Sequence, residues 1–185
     1  MQYELTTPCT AADLAPLKAG DTVLLSGVVY TARDQAHRRM LEALDKGEKL
    51  PFDLEGSAIY YVGPTPERPG EVIGSAGPTT SGRMDAMSPR LLDLGNKIMI
   101  GKGKRDAAVK EAVVRNGAVY LAALGGAGAL MAQSVKTLEV IAWPDLGCEA
   151  VRRLTVKKMP LTVILDAHGG DLYTSGPAAY LETVK

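Results

Sequence analysis

The sequence predicts an α/β fold in which short helices pack against a layered sheet. Apolar, β-branched segments of strand length alternate with segments whose apolar residues recur at helical spacing. The 20 glycines and 11 prolines separate these segments and indicate many tight turns. The early strands lack full-length helices between them, so pure Rossmann winding is not expected. Because 185 residues with 46% hydrophobic residues can bury one core, we expect residues 1–185 to form a single domain.

Four elements are predicted in the N-terminal part of the chain. They are a helix over residues 10–19, a strand over 22–32, a helix over 35–46 and a strand over 57–62. Gly27 lies in the middle of the first strand and predicts a bend or bulge there. Thr10 and Asp34 place a side-chain oxygen at the start of each helix, so we expect both to act as N-caps.

A stretch rich in glycine and hydroxyl groups, residues 74–85, lies between a predicted strand and a predicted helix. Thr79 or Thr80 is a suitable N-cap for that helix. The free amides of the first helical turn, the positive end of the helix dipole and Arg83 would then lie together, which predicts a site for a carboxylate or phosphate. An ordinary capped helix with a solvated arginine explains the same residues equally well.

The later elements alternate along the chain. Strands are predicted over 71–76, 98–100, 118–124, 138–143 and 161–166, helices over 84–94 and 106–116, and a helical turn over 145–150. We interpret Glu149, in that turn, as an acid stabilised by the helix dipole, which is favoured over a partner for a site arginine. The glycines at 125–130 enter a further short helix, but they lack the third glycine of a dinucleotide-binding fingerprint.

A basic turn, Gly-Lys-Gly-Lys-Arg at residues 101–105, follows the predicted strand at 98–100. Lys102 lies between two glycines, which allow the backbone to approach a ligand and can place one positive charge in a cleft. The alternative is a solvated basic turn before the next helix. The glycine spacing and the residue after Lys102 do not match a P-loop.

The chain has two histidines, and one lies near the start of a predicted helix. Arg33 and His37 are four residues apart there, so they are expected to face the same way. The positive end of the helix dipole disfavours a protonated histidine, which favours a neutral, proton-accepting imidazole. The alternative is a histidine on a surface helix. His168 follows a strand and is interpreted as a turn residue.

The composition argues against several classes of protein. Twenty-one basic residues balance 21 acidic ones, so a nucleic-acid binder or a membrane-surface protein is not expected. No apolar run reaches the ~20 residues of a membrane span, and the N-terminus lacks a signal pattern, so we expect a cytoplasmic protein. Cys9 and Cys148 are far apart in sequence, which argues against a disulfide framework, a zinc site or an iron–sulfur cluster held by this chain.

Three cationic residues each follow the predicted end of a strand. They are Arg33, Arg83 and Lys102. Such ends line the crevice of an α/β fold, so the three side chains are expected to converge on one anion. Two arginines and a lysine suit a dicarboxylate better than a nucleotide. Groups able to handle a proton are expected nearby, namely His37, Thr79 and Thr80.

At these residues the chain resembles a known family. The runs at 31–37, 77–85, 101–105 and 145–150 together look like the β subunit of the iron–sulfur-dependent hydro-lyases, the class I fumarases and L-tartrate dehydratases. The resemblance covers nearly the whole chain. It implies a swivelling β/β/α domain, equivalent to the C-terminal part of single-chain class I fumarases.

The resemblance also implies a cofactor, a partner and a reaction. A 4Fe–4S cluster would be held by a partner α subunit, in a complex that is usually a heterotetramer. The reaction would be the reversible hydration of fumarate to (S)-malate, a step of the tricarboxylic acid cycle. Arg33, Arg83 and Lys102 would bind the substrate carboxylates with Thr80 beside them, Thr79 would lie at the reacting carbon, and His37 matches an active-site histidine. Whether Thr79 or His37 moves the proton stays open.

The choice of substrate depends on the residues after Thr80. Gly82 and Asp85 match the fumarases better than the tartrate dehydratases, where bulkier residues tend to occur, so fumarate is favoured. A tartrate dehydratase, another hydro-lyase for 2-hydroxy-dicarboxylates, and a dicarboxylate-binding module without chemistry are the alternatives.

Overall fold

The computed structural model describes residues 1–183, which form a mixed α/β structure around one seven-stranded sheet. The strands are β1 (Gln2–Thr6), β2 (Thr22–Thr31), β3 (Ala58–Tyr60), β4 (Ile98–Gly101), β5 (Val119–Ala122), β6 (Val135–Ala142) and β7 (Val151–Leu165). The α-helices are α1 (Ala11–Leu14), α2 (Asp34–Asp45), α3 (Ser88–Asp93), α4 (Ala107–Arg115), α5 (Gly128–Gln133) and α6 (Leu172–Thr183). Two short 3₁₀ helices span Ser81–Met84 and Pro144–Glu149. None of the helices in residues 1–183 combines the length and apolar character that crossing a bilayer requires.

The sheet closes on itself through β7. Strands β1 to β5 are parallel neighbours, and β7 pairs antiparallel with both β5 and β2. The pairings therefore run β2-β3-β4-β5-β7 and return to β2, which makes a closed five-stranded barrel, with β1 and β6 attached at its sides. The α/β class was predicted correctly, but the barrel replaces the layered sheet that the sequence suggested.

Alternation along the strands divides the core into an inner and an outer part. Ile98 and Ile100 of β4 pack in one buried cluster with residues of all the other barrel strands. Met99, between them, packs in a second cluster together with residues of α2, α3 and α4. Since successive side chains of a strand point to opposite faces, the first cluster fills the barrel and the second lies beneath the helices.

The bulge predicted in β2 is confirmed, and β7 is longer than the strand that was predicted there. The register of β2 against β7 shifts between Leu25 and Gly27. Only residues 161–166 were predicted as a strand in this region, whereas β7 begins at Val151. Its first part carries arginines and lysines, but their positions are mostly half-buried or exposed while the residues between them are buried. The short apolar stretches therefore gave too weak a signal. Strand β1 and helix α6 were also missed.

The strand predicted over 71–76 is wrong. This segment folds back on the preceding loop, where the Thr65 amide donates to the Ser75 carbonyl at 3.1 Å and the Ser75 amide donates to Thr65 Oγ1 at 2.8 Å. These local bonds satisfy backbone groups that a strand would pair with the sheet. The predicted helix over 84–94 is likewise divided into the 3₁₀ helix Ser81–Met84 and α3.

Candidate functional site

The candidate site lies at the carboxyl ends of the parallel strands, where three chain segments meet. Arg33 follows β2, and Lys102 follows β4 directly. The Thr79 amide donates to the carbonyl of Tyr61, just after β3, at 2.7 Å. Thr80 and Lys102 form a parallel β-bridge, which joins the segment that contains Thr79 to the end of β4. The closed sheet thus gathers residues that are widely separated in sequence.

Arg33 and Arg83 share one carboxylate, that of Asp34. Its Oδ2 lies 3.5 Å from Arg33 Nη2 and 4.0 Å from Arg83 Nη1. The two guanidinium groups predicted to meet are therefore neighbours, although Arg83 does not follow a strand. Asp34 is not the N-cap that the sequence suggested, because Arg33 occupies the N-cap position and Asp34 is the first residue of α2.

Glu149, which is distant in sequence, accepts a hydrogen bond from the first turn of α2. Its Oε2 accepts a hydrogen bond from the Gln35 amide at 2.8 Å, and its Oε1 lies 3.5 Å from Arg33 Nη2. The interpretation of Glu149 as an acid stabilised by the helix dipole is therefore wrong, since Glu149 ends the 3₁₀ helix, and the alternative of a partner for Arg33 is confirmed. A first-turn amide of α2 gains an acceptor, and Arg33 gains a second negative neighbour.

Lys102 lies beside the segment that carries Arg83. The Ser81 amide donates to the Lys102 carbonyl at 2.8 Å, and the Lys102 amide donates to Ser81 Oγ at 3.1 Å. Tyr120 also donates its hydroxyl to Ser81 Oγ at 2.9 Å. Within residues 1–183 the Lys102 side chain forms no ion pair, so its positive charge is available to a ligand.

Only glycine fits at position 101. A Cβ on Gly101 would lie 2.0 Å from Ser81 Oγ, well inside van der Waals contact. The close approach lets the strand end at β4 dock directly against Ser81, and it sets the relative position of Thr80 and Lys102.

A buried ion pair fastens the same two segments from below. The Arg105 guanidinium donates to Asp85, and the second oxygen of Asp85 accepts from the Asp106 amide at 2.7 Å. Arg105 lies between the rings of Tyr61 and Tyr120, 5.4 and 5.0 Å from their centroids. This arrangement was not predicted, because Arg105 ends a basic turn of the kind that is usually solvated.

His37 is fully buried, so the alternative of a histidine on a surface helix is wrong. Its Nδ1 donates to the Arg33 carbonyl at 2.9 Å, and its Nε2 has no hydrogen-bond partner among residues 1–183. Burial lowers the pKa of His37 to about 4, so the ring is neutral at pH 7 as predicted. The main cause is loss of solvation rather than the helix dipole. Its ring packs edge-on against Tyr61 at 5.3 Å.

The two threonines are more accessible than the histidine. Thr79 is half-buried and Thr80 is exposed. Thr80 occupies the N-cap position of the 3₁₀ helix, but its side chain makes no capping bond, so that prediction is wrong. The helix is a single turn, and its dipole is correspondingly weak. The positive charge in this region therefore comes from side chains rather than from a helix N-terminus.

Two large open cavities are lined by residues other than these cations. They have volumes of about 460 and 430 Å³ and share Thr65, Pro66 and Ile73 in their walls. Neither is lined by Arg33, Arg83 or Lys102. Within residues 1–183 no three His, Cys, Asp or Glu side chains are grouped as metal ligands.

Comparison with known proteins gives a consistent family. A family model described as "Fumarase C-terminus" matches residues 1–176. The putative L(+)-tartrate dehydratase subunit beta of Methanocaldococcus jannaschii is 43% identical over 170 residues, covering 89% of this chain and 87% of that protein. The L(+)-tartrate dehydratase subunit beta of Escherichia coli is 33% identical over 187 residues, 98% of this chain and 92% of that protein. The aerobic class I fumarate hydratase of E. coli is 37% identical over 164 residues, 88% of this chain but 30% of that enzyme.

Proposed function

Because the chain belongs to the Fumarase C-terminus family, we propose that it is the β subunit of a hydro-lyase that hydrates fumarate to (S)-malate. Its relatives are named as fumarate hydratases and tartrate dehydratases, enzymes that add or remove water. The proposal assigns to this chain the binding of the substrate carboxylates and part of the proton transfer. The single observation that carries it is the Asp34 carboxylate, which lies between Arg33 and Arg83 and marks a place where a carboxylate is attracted by both.

In this proposal Arg33, Arg83 and Lys102 form a clamp for a dianion. Two guanidinium groups offer forked N–H donors that match carboxylate geometry, and the lysine adds a single charge from the neighbouring strand end. The exposed hydroxyl of Thr80 donates to a substrate oxygen beside them. A four-carbon dicarboxylate has its two charged groups at opposite ends, so cations on separate segments can hold both.

Thr79 is the proposed residue nearest the reacting carbon. Its amide is fixed on the Tyr61 carbonyl, and its side chain is partly exposed. A threonine hydroxyl is a weak base, so proton removal through it needs the neighbouring cations to stabilise the alkoxide. His37 is the stronger base of the two, but it is buried beneath Arg33. We therefore propose that Thr79 exchanges the proton and that His37 holds the backbone carbonyl of Arg33.

The proposed partner is an α subunit that holds a 4Fe–4S cluster. Residues 1–183 contain no group of three His, Cys, Asp or Glu side chains that could hold such a cluster. Residues 1–185 would form one domain that swivels against the partner in a heterotetramer. Both cysteines are free thiols, buried at Cys9 and exposed at Cys148, which supports a reducing, cytoplasmic location.

Tartrate dehydration is the second candidate. It is supported by the 43% identity to a protein named as a tartrate dehydratase subunit, whereas Gly82 and Asp85 favour fumarate. The two substrates differ by hydroxyl groups, and a site that hydrogen-bonds a hydroxyl discriminates strongly against a substrate without it. Initial rates with fumarate, L(+)-tartrate and mesaconate therefore identify the substrate.

The test uses the tagged chain, purified without oxygen from cells that also produce its partner. We expect a larger, brown, cysteine-containing polypeptide to co-purify, and we expect the complex to hydrate fumarate while the isolated chain does not. A complex that uses tartrate but not fumarate would favour the second candidate. A chain that binds dicarboxylates without any partner or turnover would instead be a binding module, and the hydro-lyase proposal would fail.

A further inference from the structure

The ion pairs at the clamp are longer than the others in the structure. Arg33 lies 3.5 Å from both Asp34 and Glu149, and Arg83 lies 4.0 Å from Asp34. Every other ion pair within residues 1–183 is 2.8 Å or shorter. Charge-assisted hydrogen bonds between nitrogen and oxygen typically measure about 2.7–2.9 Å. The two acids at the clamp therefore balance the charge of its arginines without forming tight hydrogen bonds to them.

The arginines of the clamp also have N–H donors without a hydrogen-bond acceptor among residues 1–183. A guanidinium group has five N–H donors. Arg33 directs one nitrogen towards two acids at long range, and its Nε is buried without a partner among residues 1–183. Arg115, by contrast, forms a closed pair with Asp93 through two bonds of 2.8 and 2.7 Å. The arginines of the clamp are therefore compensated in charge, but several of their N–H donors have no acceptor among residues 1–183.

We propose that Asp34 is an internal counter-ion that competes with the substrate carboxylate for Arg33 and Arg83 and thereby limits the affinity of the clamp. This inference rests on the proposed function and concerns the same site. In the absence of substrate, Asp34 lowers the mutual repulsion of the two arginines. When a substrate carboxylate binds both guanidinium groups, the Asp34 carboxylate is its close neighbour and repels it.

The length of the contacts supports competition rather than orientation. A carboxylate that orients an arginine does so through short, directional bonds, as Asp93 does for Arg115. Contacts of 3.5 and 4.0 Å retain Coulomb attraction but impose little geometry. Removing the charge of Asp34 should therefore leave the arginines usable and make their field more positive. Tighter binding and slower release of a dianion are the expected results.

The test compares two substitutions that change charge equally on the same helix. Asp34→Asn removes the acid at the start of α2, and Asp45→Asn removes an exposed acid paired with Arg90 at its end. The two positions are about 16 Å apart along a helix that rises 1.5 Å per residue, beyond the ~8 Å screening length at physiological salt. The probe is succinate, which resembles the proposed substrate and cannot be hydrated. Its dissociation constant for the full chain is measured by NMR titration.

We expect Asp34→Asn to bind succinate about 3- to 10-fold more tightly than the wild type, and Asp45→Asn to bind it within about 1.5-fold. The gain should shrink as salt is raised. Equal or weaker binding by Asp34→Asn would overturn the inference, since it would give Asp34 an orienting role. Absence of saturable binding to both the wild type and Asp34→Asn would overturn it as well. Arg83→Ala separates the two proposals, because unchanged affinity in that variant would refute the clamp itself.

Discussion

Replacement of Gly101 by alanine tests how the two central segments of the site are held together. The new Cβ would lie 2.0 Å from Ser81 Oγ, whereas ordinary contact begins at 3.4 Å, so the two groups must separate by about 1.4 Å. That movement weakens the bonds from the Lys102 amide and the Tyr120 hydroxyl to Ser81 Oγ, which contribute about 1 kcal/mol each, so losing about half of this contribution costs about 1 kcal/mol. Overpacking adds a cost of about 1–3 kcal/mol. We expect a total destabilisation of about 2–4 kcal/mol.

The measurements are thermal unfolding of the chain and fumarate hydration by the complex. For a protein of this size the expected destabilisation lowers the Tm by about 4–16 °C. A misplacement of about 1 Å between Thr80 and Lys102 is expected to reduce kcat/KM by up to about 100-fold. Gly77→Ala is the matched control, because its Cβ would meet the nearest atom, Gly128 Cα, at an ordinary 3.7 Å.

A double substitution makes this reasoning refutable. Ser81→Ala removes the oxygen that the new Cβ would strike, so combining it with Gly101→Ala should restore part of the stability lost in the single variant. The destabilisation of the double variant should be smaller than the sum of the two single effects by about 1 kcal/mol or more. Simple additivity, or a Gly101→Ala protein that unfolds within 2 °C of the wild type, would show that the close approach does not organise the site.

Three other substitutions or conditions test the clamp, the histidine and the buried ion pair. Arg83→Ala should lower kcat/KM of the complex at least about tenfold, because a charge-assisted contact contributes about 1.5–3 kcal/mol. Arg115→Ala, at an exposed arginine that is paired with Asp93, is the control and should leave kcat/KM unchanged. An effect of Arg83→Ala below twofold would refute the clamp. Burial lowers the pKa of His37 to about 4, so below pH 6.5 the unfolded chain binds a proton that the folded chain does not, and the free energy of unfolding falls as the pH drops towards 4. Urea unfolding should show a free energy of unfolding about 2 kcal/mol lower at pH 5 than at pH 7, and His37→Gln should reduce this difference. An unchanged difference in His37→Gln would contradict the assignment to His37. Asp85→Asn should lower the free energy of unfolding in urea by about 3–5 kcal/mol, because it leaves the buried Arg105 charge unpaired. A decrease of less than about 1 kcal/mol would mean that water reaches this ion pair.

Periodicity and capping signals in the sequence predicted much of the fold. The apolar run with Gly27 at its centre gave β2 and its bulge, because branched apolar residues favour strands and a central glycine permits irregular register. Thr10 gave the start of α1, where a capping box with Asp13 is formed. These two local signals are preserved in the structure, whereas the caps predicted at Asp34 and Thr80 do not form. The predictions failed where a local pattern has two solutions, as at 71–76, where an apolar run became a loop.

The candidate site was predicted in its residue types but not in its arrangement. The sequence placed Arg33 and Lys102 after strands and grouped Arg83 with them, and the structure brings Arg33 and Arg83 to the same carboxylate. It gave no indication that Asp34 is that carboxylate, because an acid at the start of a helix is usually explained by capping. The burial of His37 was not predicted, since one helical turn does not reveal which neighbour covers a side chain.

The sequence by itself determined several of the segments that become strands and helices, such as β2 and α2, and which charged groups are available at their ends. Only the tertiary structure decided that β7 closes the barrel, that Arg105 is buried while Arg83 is exposed, and that Glu149 reaches α2. The physical reason is that apolar spacing specifies how one element buries its own surface. The field and solvation of a charge depend instead on atoms a few ångströms away, and here those atoms come from segments that are distant in the chain.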